Sequence, residues 1–198
     1  MNAAVDLTKV VLETERLILR AWKETDLEDF YEYASVDGVG QMAGWEPHKS
    51  LQESKQILDM FIREKKTFAL ELKKNHKVVG SLGVENLSLL LDAKYENKAG
   101  REIGYVLSKD YWGKGLMPEA VKRVIEFCFV EGKYDYLICS HWIENRQSQR
   151  VIEKNGFQFV KDAMRKTLNG EERLSKYYVL ENPKKRELAY FKESERGI

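Results

Sequence analysis

The sequence has few of the residues that build cross-links and metal sites. Two cysteines and three histidines stand among 198 residues. Cys128 and Cys139 fall inside an expected helix and an expected strand, so they read as core thiols, not as a disulfide or metal pair. They point to a reducing compartment, the cytoplasm. His48, His76 and His141 lack the spacing of zinc ligands, and no metal is expected. Neither sign of charge dominates: 33 basic against 32 acidic residues leave +1. That excludes a long-range field able to gather nucleic acid or anionic lipid. No apolar run approaches membrane-spanning length, and residues 1–10 lack the charged-then-apolar pattern of a secretory signal. No repeat, low-complexity tract or linker divides the chain, so one domain over 1–198 is expected. The two commonest glycine-rich nucleotide motifs, Gly-x-Gly-x-x-Gly and Gly-x-x-x-x-Gly-Lys-Ser/Thr, are both missing.

What is present centres on residues 108–120. Before them, Glu102-Ile103-Gly104-Tyr105-Val106-Leu107 reads as a strand. After them, Met117, Val121, Val124, Ile125 and Cys128 recur on one face at a period of 3.6, and Pro118 suits a first helical turn. Trp112 to Leu116 therefore form a glycine-punctuated turn from a strand into a helix. Such a turn offers free backbone N–H groups and the positive end of a helix dipole, a combination that suits phosphate. Gly113 and Gly115 allow positive φ and close backbone approach to a ligand. On these residues alone, a tight connection with no ligand is the simpler reading.

Elsewhere the chain alternates strands and helices. Residues 1–14 read as a loose lead-in and 15–20 as a half-buried strand. Thr25 and Glu28 form a capping box for a helix that turns Leu27, Phe30, Tyr31 and Ala34 inward. Residues 38–49 are an irregular segment whose Trp45 suits a binding loop and a core plug equally well. Ser50 and Glu53 form a second capping box, for a helix with Ile57, Leu58, Phe61 and Ile62 inward. Strands are expected at 67–72, from Lys77 to 84, at 101–107 and at 136–142, with a polar loop over 92–99 and a helix near 116–131. A short helix with Val151 and Ile152 inward stops at Asn155-Gly156. A strand from Phe157, a type I′ turn at Asn169-Gly170 and a return strand at 177–180 follow. The tail after Pro183 suits a helix through Leu188, Tyr190 and Phe191. The order β-α-α-β-β-β-α-β-α-β-β defines an α+β, or mixed α/β, layout around a mixed sheet.

Two blocks at fixed separation carry a resemblance. One is Ile103 to Leu107 followed by Tyr111-Trp112-Gly113-Lys114-Gly115-Leu116-Met117-Pro118-Glu119-Ala120. The other is Asn145-Arg146-Gln147-Ser148 through Asn155-Gly156-Phe157. Together they resemble the GNAT superfamily of acetyl-coenzyme A-dependent N-acetyltransferases. The branch most similar is the ribosomal-protein N-terminal alanine acetyltransferase type, which residues 13–20 also resemble. The likeness spans about 12–181 and leaves 182–198 as a tail. It implies a mostly antiparallel mixed sheet flanked by helices.

It also implies site residues. The loop Trp112, Gly113, Lys114, Gly115 and Leu116 would bind the pyrophosphate of coenzyme A through backbone amides. Val106 and Leu107 would lend backbone groups to the pantetheine arm, Asn145 would contact the same arm, and Ser148 would face the sulfur. Two positions depart from the pattern. Asp110 stands where a Gln or Arg usually adds a polar or cationic contact, which Lys114 would have to replace. Ile152 stands where many members carry a proton-donating Tyr, which leaves that role to Ser148.

The implied reaction is attack of an uncharged primary amine on the thioester, with no metal. A backbone N–H near Val106–Leu107 would serve the oxyanion and Ser148 the leaving sulfur. Glu102 is the candidate base, with Glu85 and Glu144 as alternatives. A bland role for Glu102, pairing with Arg101 or another cation, competes with the catalytic one. The partner is an amine acceptor, a protein N-terminus or a small molecule. Residues 38–49, 87–98 and the Asn169-Gly170 hairpin would shape its cleft. A homodimer is left open. The competing class is a non-catalytic coenzyme A-binding sensor or scaffold on the same fold.

Overall fold

Apolar residues two apart, such as Leu17 and Leu19, put one side of a strand in the core and leave the other for polar partners. Eight strands form one sheet in a computed structural model that describes residues 1–167 and 169–185. They are β1 (Leu12–Glu13), β2 (Leu17–Ala21), β3 (Thr67–Leu72), β4 (Val78–Glu85), β5 (Gly100–Leu107), β6 (Tyr136–Trp142), β7 (Gln158–Lys166) and β8 (Glu172–Glu181). The helices are α1 (Leu27–Ala34), α2 (Leu51–Glu64), α3 (Leu116–Val130) and α4 (Arg146–Lys154). The sheet order is β1-β2-β3-β4-β5-β6-β8-β7, and every neighbouring pair is antiparallel except β5 and β6. This is the expected mixed, mostly antiparallel sheet.

The apolar stripe of α3 supplies Met117, Val121, Val124 and Cys128 to the largest core, where they meet Leu17, Leu19, Phe68 and Leu82. Fully burying a side chain of this size contributes about 1.5–3 kcal/mol. On the other side of the sheet, α1 and α2 close over Ala69 and Val78. Trp22, Phe30 and Phe61 form an aromatic cluster there, with centroids 5.2–5.7 Å apart. A third cluster joins Tyr95, Tyr136, Ile138 and Tyr177 at the β6–β8 end.

The Ser50 cap forms as expected, its hydroxyl accepting the Glu53 amide at 3.2 Å. Several other local expectations are corrected. Thr25 is not a cap: it sits inside a 3-10 turn, Glu24–Asp26, that precedes α1. Asp26 accepts the Lys23 amide at 2.8 Å and pairs with Arg20, so the buried ion pair draws the chain into helix one turn early. On α1, Tyr33 and not Tyr31 turns inward. The lead-in is folded, not loose: Leu7 and Leu12 are buried, and Arg101 Nε donates to the Ala3 carbonyl at 2.7 Å. The polar loop over 92–99 contains a 3-10 turn, Ala93–Tyr95, and buries Tyr95.

At the β7–β8 hairpin, the Thr167 amide donates to the Glu171 carbonyl and the Gly170 amide to the Thr167 carbonyl. With Gly170 at φ +87°, this is a three-residue loop with a left-handed glycine, not a two-residue type I′ turn. The expected helix through Leu188, Tyr190 and Phe191 lies outside the described residues.

Candidate active site

The two parallel strands make the cleft. β5 and β6 pair from Gly100↔Tyr136 to Ile103↔Cys139 and then separate. β5 continues against β4 as far as Leu107↔Gly80, while β6 continues against β8 to Trp142↔Ser175. A wedge opens between them, and Gly104, Tyr105 and Val106 on its β5 wall are half-buried. Past Ile103 the backbone groups of β5 that face β6 have no strand partner, and among them the Leu107 carbonyl is taken by the Trp112 indole. Each strand runs from the wedge into a helix, β5 into α3 and β6 into α4. The cavity there holds about 560 Å³ and is lined by residues from Gly113 at one end to Glu102, Ser140 and Arg165 at the other. Crevices at the carboxyl ends of parallel strands are where open α/β sheets bind ligands.

At the α3 end the loop has the geometry the glycines suggested. Gly113 and Gly115 hold φ of +74° and +76°. A Cβ on Gly113 would meet nothing within 4 Å, so its backbone faces open space. Among the described residues, the amides of 113–117 find no acceptor, and Pro118 has none to offer. Arg16 braces this loop. Its guanidinium donates to the Lys114 carbonyl and to Glu119, and its amide to Glu119 as well, at 2.8–2.9 Å. Burial alone would raise the Glu119 carboxyl, but the Thr14 hydroxyl, the Arg16 amide and the Arg16 guanidinium together hold it below the ordinary glutamate range. Trp112 is half-buried and its Nε1 donates to the Leu107 carbonyl at 2.8 Å, so it ties the loop to the end of β5. Lys114 Nζ lies 5.1 Å from the Tyr111 ring centroid. Arg150 and Lys154, one turn apart on α4, line the cavity and bring cationic side chains to it.

On the α3–α4 side of the wedge stands Ser148. Asn145 caps α4, its Oδ1 accepting the Ser148 amide at 3.0 Å while its Nδ2 donates to the Met42 carbonyl at 3.2 Å. Both polar atoms of the Asn145 side chain are thus engaged within the chain. The Ser148 hydroxyl lies 2.9 Å from the Tyr105 hydroxyl, a contact not foreseen from sequence. Burial pushes the Tyr105 phenol well above its ordinary value. Ile152 is buried in the core.

Glu102 sits on the opposite face of the sheet from Tyr105, as strand alternation requires. It is 3% exposed. Its carboxylate accepts the Ser88 amide at 3.0 Å, the Ser140 hydroxyl at 3.0 Å and Arg165 at 3.3 Å. The cation beside it is therefore Arg165, not Arg101, which turns to Ala3 and Asn86. Glu85 lies directly across the ladder from Glu102 and reaches the cavity, but is engaged by Lys66 at 2.8 Å. Glu144 is exposed, 3.6 Å from Arg173 and outside the cavity lining.

Met42 and Ala43 of the irregular 38–49 segment line the cavity, while Trp45 packs against the α1–α2 core as a plug. Among the described residues no group of three His, Cys, Asp or Glu is placed to hold a metal, and no helix is long and apolar enough to cross a membrane.

This is the fold and cleft of an acyl-group transferase. A family model for the acetyltransferase (GNAT) domain matches residues 16–158, and the chain belongs to that family of N-acetyltransferases. An uncharacterized N-acetyltransferase of Bacillus subtilis, YoaA, is 27% identical over 153 residues, covering 75% of this chain and 82% of the relative. A GNAT-family acetyltransferase from Bacillus anthracis superposes with a TM-score of 0.75 at 23% identity, covering 87% of this chain and 99% of that one. A ribosomal-protein-S5-alanine acetyltransferase from Vibrio fischeri superposes with a TM-score of 0.69 at 22% identity, over 88% and 98%.

Proposed function

We propose that this chain, read as one acetyltransferase domain over 1–198, moves the acetyl group of acetyl-coenzyme A to a primary amine by direct attack in a ternary complex. One observation carries the reading: a run of free amides at 113–117 opens a wedge that has a serine hydroxyl on one face and a buried carboxylate on the other. The amides of Gly113, Lys114, Gly115 and Leu116 fit a pyrophosphate, with Arg150 and Lys154 adding charge. The edge of β5 at Val106 and Leu107, which no strand covers and where Trp112 holds the Leu107 carbonyl, fits the amide-bearing pantetheine arm, with Asn145 at the lip.

Acetyl-coenzyme A supplies an acetyl group already activated as a thioester. The chain supplies the rest. Glu102 takes a proton from the acceptor nitrogen, directly or through a water. A backbone N–H in the Val106–Leu107 region donates to the carbonyl oxygen as it gains charge, an effect of ~3 kcal/mol for one preorganised donor. Ser148 Oγ donates a hydrogen bond to the departing sulfur. A protein N-terminus is the acceptor class we favour, because a solved neighbour is described as a ribosomal-protein alanine acetyltransferase. Cys128 and Cys139 are free and buried, which supports a reducing compartment such as the cytoplasm.

Two measurements test this. Acetyl-coenzyme A should raise the melting temperature with a chelator present, by the equivalent of about 2.7 kcal/mol at a hundredfold excess over Kd. Thiol release should then appear with one or more members of an amine panel that includes peptides with free N-termini. An unchanged melting temperature at millimolar cofactor overturns the reading. A thermal shift with no thiol release on any amine leaves a non-catalytic coenzyme A-binding module.

A further inference from the structure

We infer that Tyr105 is a positioning residue for departure of the thiol: its hydroxyl turns the Ser148 hydroxyl toward the leaving sulfur. The inference rests on the acetyl-transfer reading above and names a residue that neither the motifs nor the spacing assigned.

Each of the two hydroxyls has a single hydrogen to place. Ser148 Oγ carries one, Tyr105 Oη carries one, and the Tyr105 oxygen lies 2.9 Å from Ser148 Oγ and 3.2 Å from the Ser148 carbonyl oxygen. Two arrangements satisfy these contacts. In one, the serine donates to the tyrosine and the tyrosine to the Ser148 carbonyl, so no hydrogen is left for the cleft. In the other, the tyrosine donates to Ser148 Oγ and the serine hydrogen is free to point into the cavity that both side chains line. Exchange between them needs only rotation about two C–O bonds. Negative charge on a nearby sulfur selects the second arrangement, because a hydrogen bond to an ionised acceptor is roughly twice as strong as a neutral one.

Tyr105 stays a donor throughout, since burial holds its phenol protonated. Among the described residues, Tyr105 is the one side chain bonded to the Ser148 hydroxyl, and Cys139 neighbours the Tyr105 hydroxyl. Cys139 Sγ donates to the Ile103 carbonyl, and the Ser148 amide is taken by Asn145. In the transfer a C–N bond forms, the C–S bond breaks with its electron pair on sulfur, and the proton from nitrogen goes to Glu102. Neither hydroxyl gives up its proton.

The test is a double-mutant cycle of Tyr105→Phe and Ser148→Ala, with rates expressed per mole of cofactor-binding protein. Ser148→Ala should lower kcat about 100-fold and Tyr105→Phe about 10-fold with KM near wild type, and the double variant should be no slower than Ser148→Ala alone. A thioester of a more acidic thiol should recover part of both losses. Without turnover, the fraction of bound coenzyme A present as thiolate at one fixed alkaline pH, read from its ultraviolet band, should fall in both single variants. A loss in Ser148→Ala with Tyr105→Phe within twofold of wild type overturns this inference and leaves the acetyl-transfer reading intact. Additive losses overturn it as well. An unchanged Ser148→Ala overturns the serine's role in both. Should Tyr105→Phe fail to fold, a ring-fluorinated tyrosine at 105 has nearly the same shape and is a stronger donor, so an unchanged kcat there is also decisive against it.

Discussion

Arg16 and Glu119 lie 103 positions apart in sequence and 2.6 Å apart in the structure. One guanidinium ties the start of β2 to the first turn of α3 and, through the Lys114 carbonyl, to the glycine loop. Glu119 is a carboxylate at a helix N-terminus, where the dipole favours it. Arg16 is 43% exposed, and exposed pairs contribute little to stability, at most about 1 kcal/mol. Its larger effect is to hold the Lys114 carbonyl away from the cleft, which the loop amides face. Arg16→Ala should therefore leave the melting temperature within a few degrees of wild type and weaken acetyl-coenzyme A binding roughly tenfold. Titration calorimetry beside a thermal melt separates the two effects, and unchanged affinity would show that the loop holds its shape without the brace.

The loop glycines make a sharper case. Gly113 faces open space, so a side chain there meets no protein atom, yet its φ of +74° is unfavourable for a β-branched residue. Gly113→Val should lower stability by about 1–2 kcal/mol, from backbone strain. Cofactor affinity should fall by more than that, because the branch projects where phosphate would approach. If the folded variant binds acetyl-coenzyme A as tightly as wild type does, the phosphate lies elsewhere.

Glu102→Gln keeps the shape of the side chain and the Ser88 contact but removes the charge beside Arg165. Acting as base, Glu102 should account for about 100-fold in turnover. The variant should lose that factor, and the rising alkaline limb of the rate profile should change. A rate and profile equal to wild type would return Glu102 to a structural ion pair with Arg165 and pass the base role to Glu85 or to water.

A different carboxylate contributes to the acid limit of stability. Glu71 joins Arg20 at 2.5 Å and His76 at 2.6 Å. Burial by itself would raise its carboxyl, but the bonds from His76 and Arg20 outweigh it and place it below the ordinary glutamate value of 4.5. The unfolded chain thus takes up a proton at Glu71 at higher pH than the folded chain does. The stabilisation is complete above 4.5 and is lost as pH falls from there through the lower folded value. Glu71→Gln should cost about 2 kcal/mol at neutral pH and flatten the melting temperature across that acidic window. Parallel curves for the two proteins would rule out this linkage.

Much of the fold was legible because its signals are local. The 3.6-residue stripe of α3, the Ser50 cap, the Asn155-Gly156 stop and the two glycines at 113 and 115 depend on neighbours a few positions away, and all are found in place. Among the local readings that did not hold, two were overridden by a contact from outside their window. Thr25 lost its cap role to an Asp26 that Arg20 holds. The lead-in became part of the core because Leu7 and Leu12 found a surface to cover.

By itself the sequence determined the succession of strands and helices, the amide-rich turn and the presence of Ser148 and Glu102 beside it. Only the tertiary structure decided which face of the sheet each occupies and what stands next to them. Ser148 meets Tyr105 from 43 positions away, and Glu102 meets Arg165 from 63. Tyr105 and Ser148 meet where β5 and β6 separate after Ile103 and Cys139. That separation arises because each strand stays with its antiparallel partner, β4 or β8, instead of with the other, and such pairing between distant segments leaves no periodic trace along the chain.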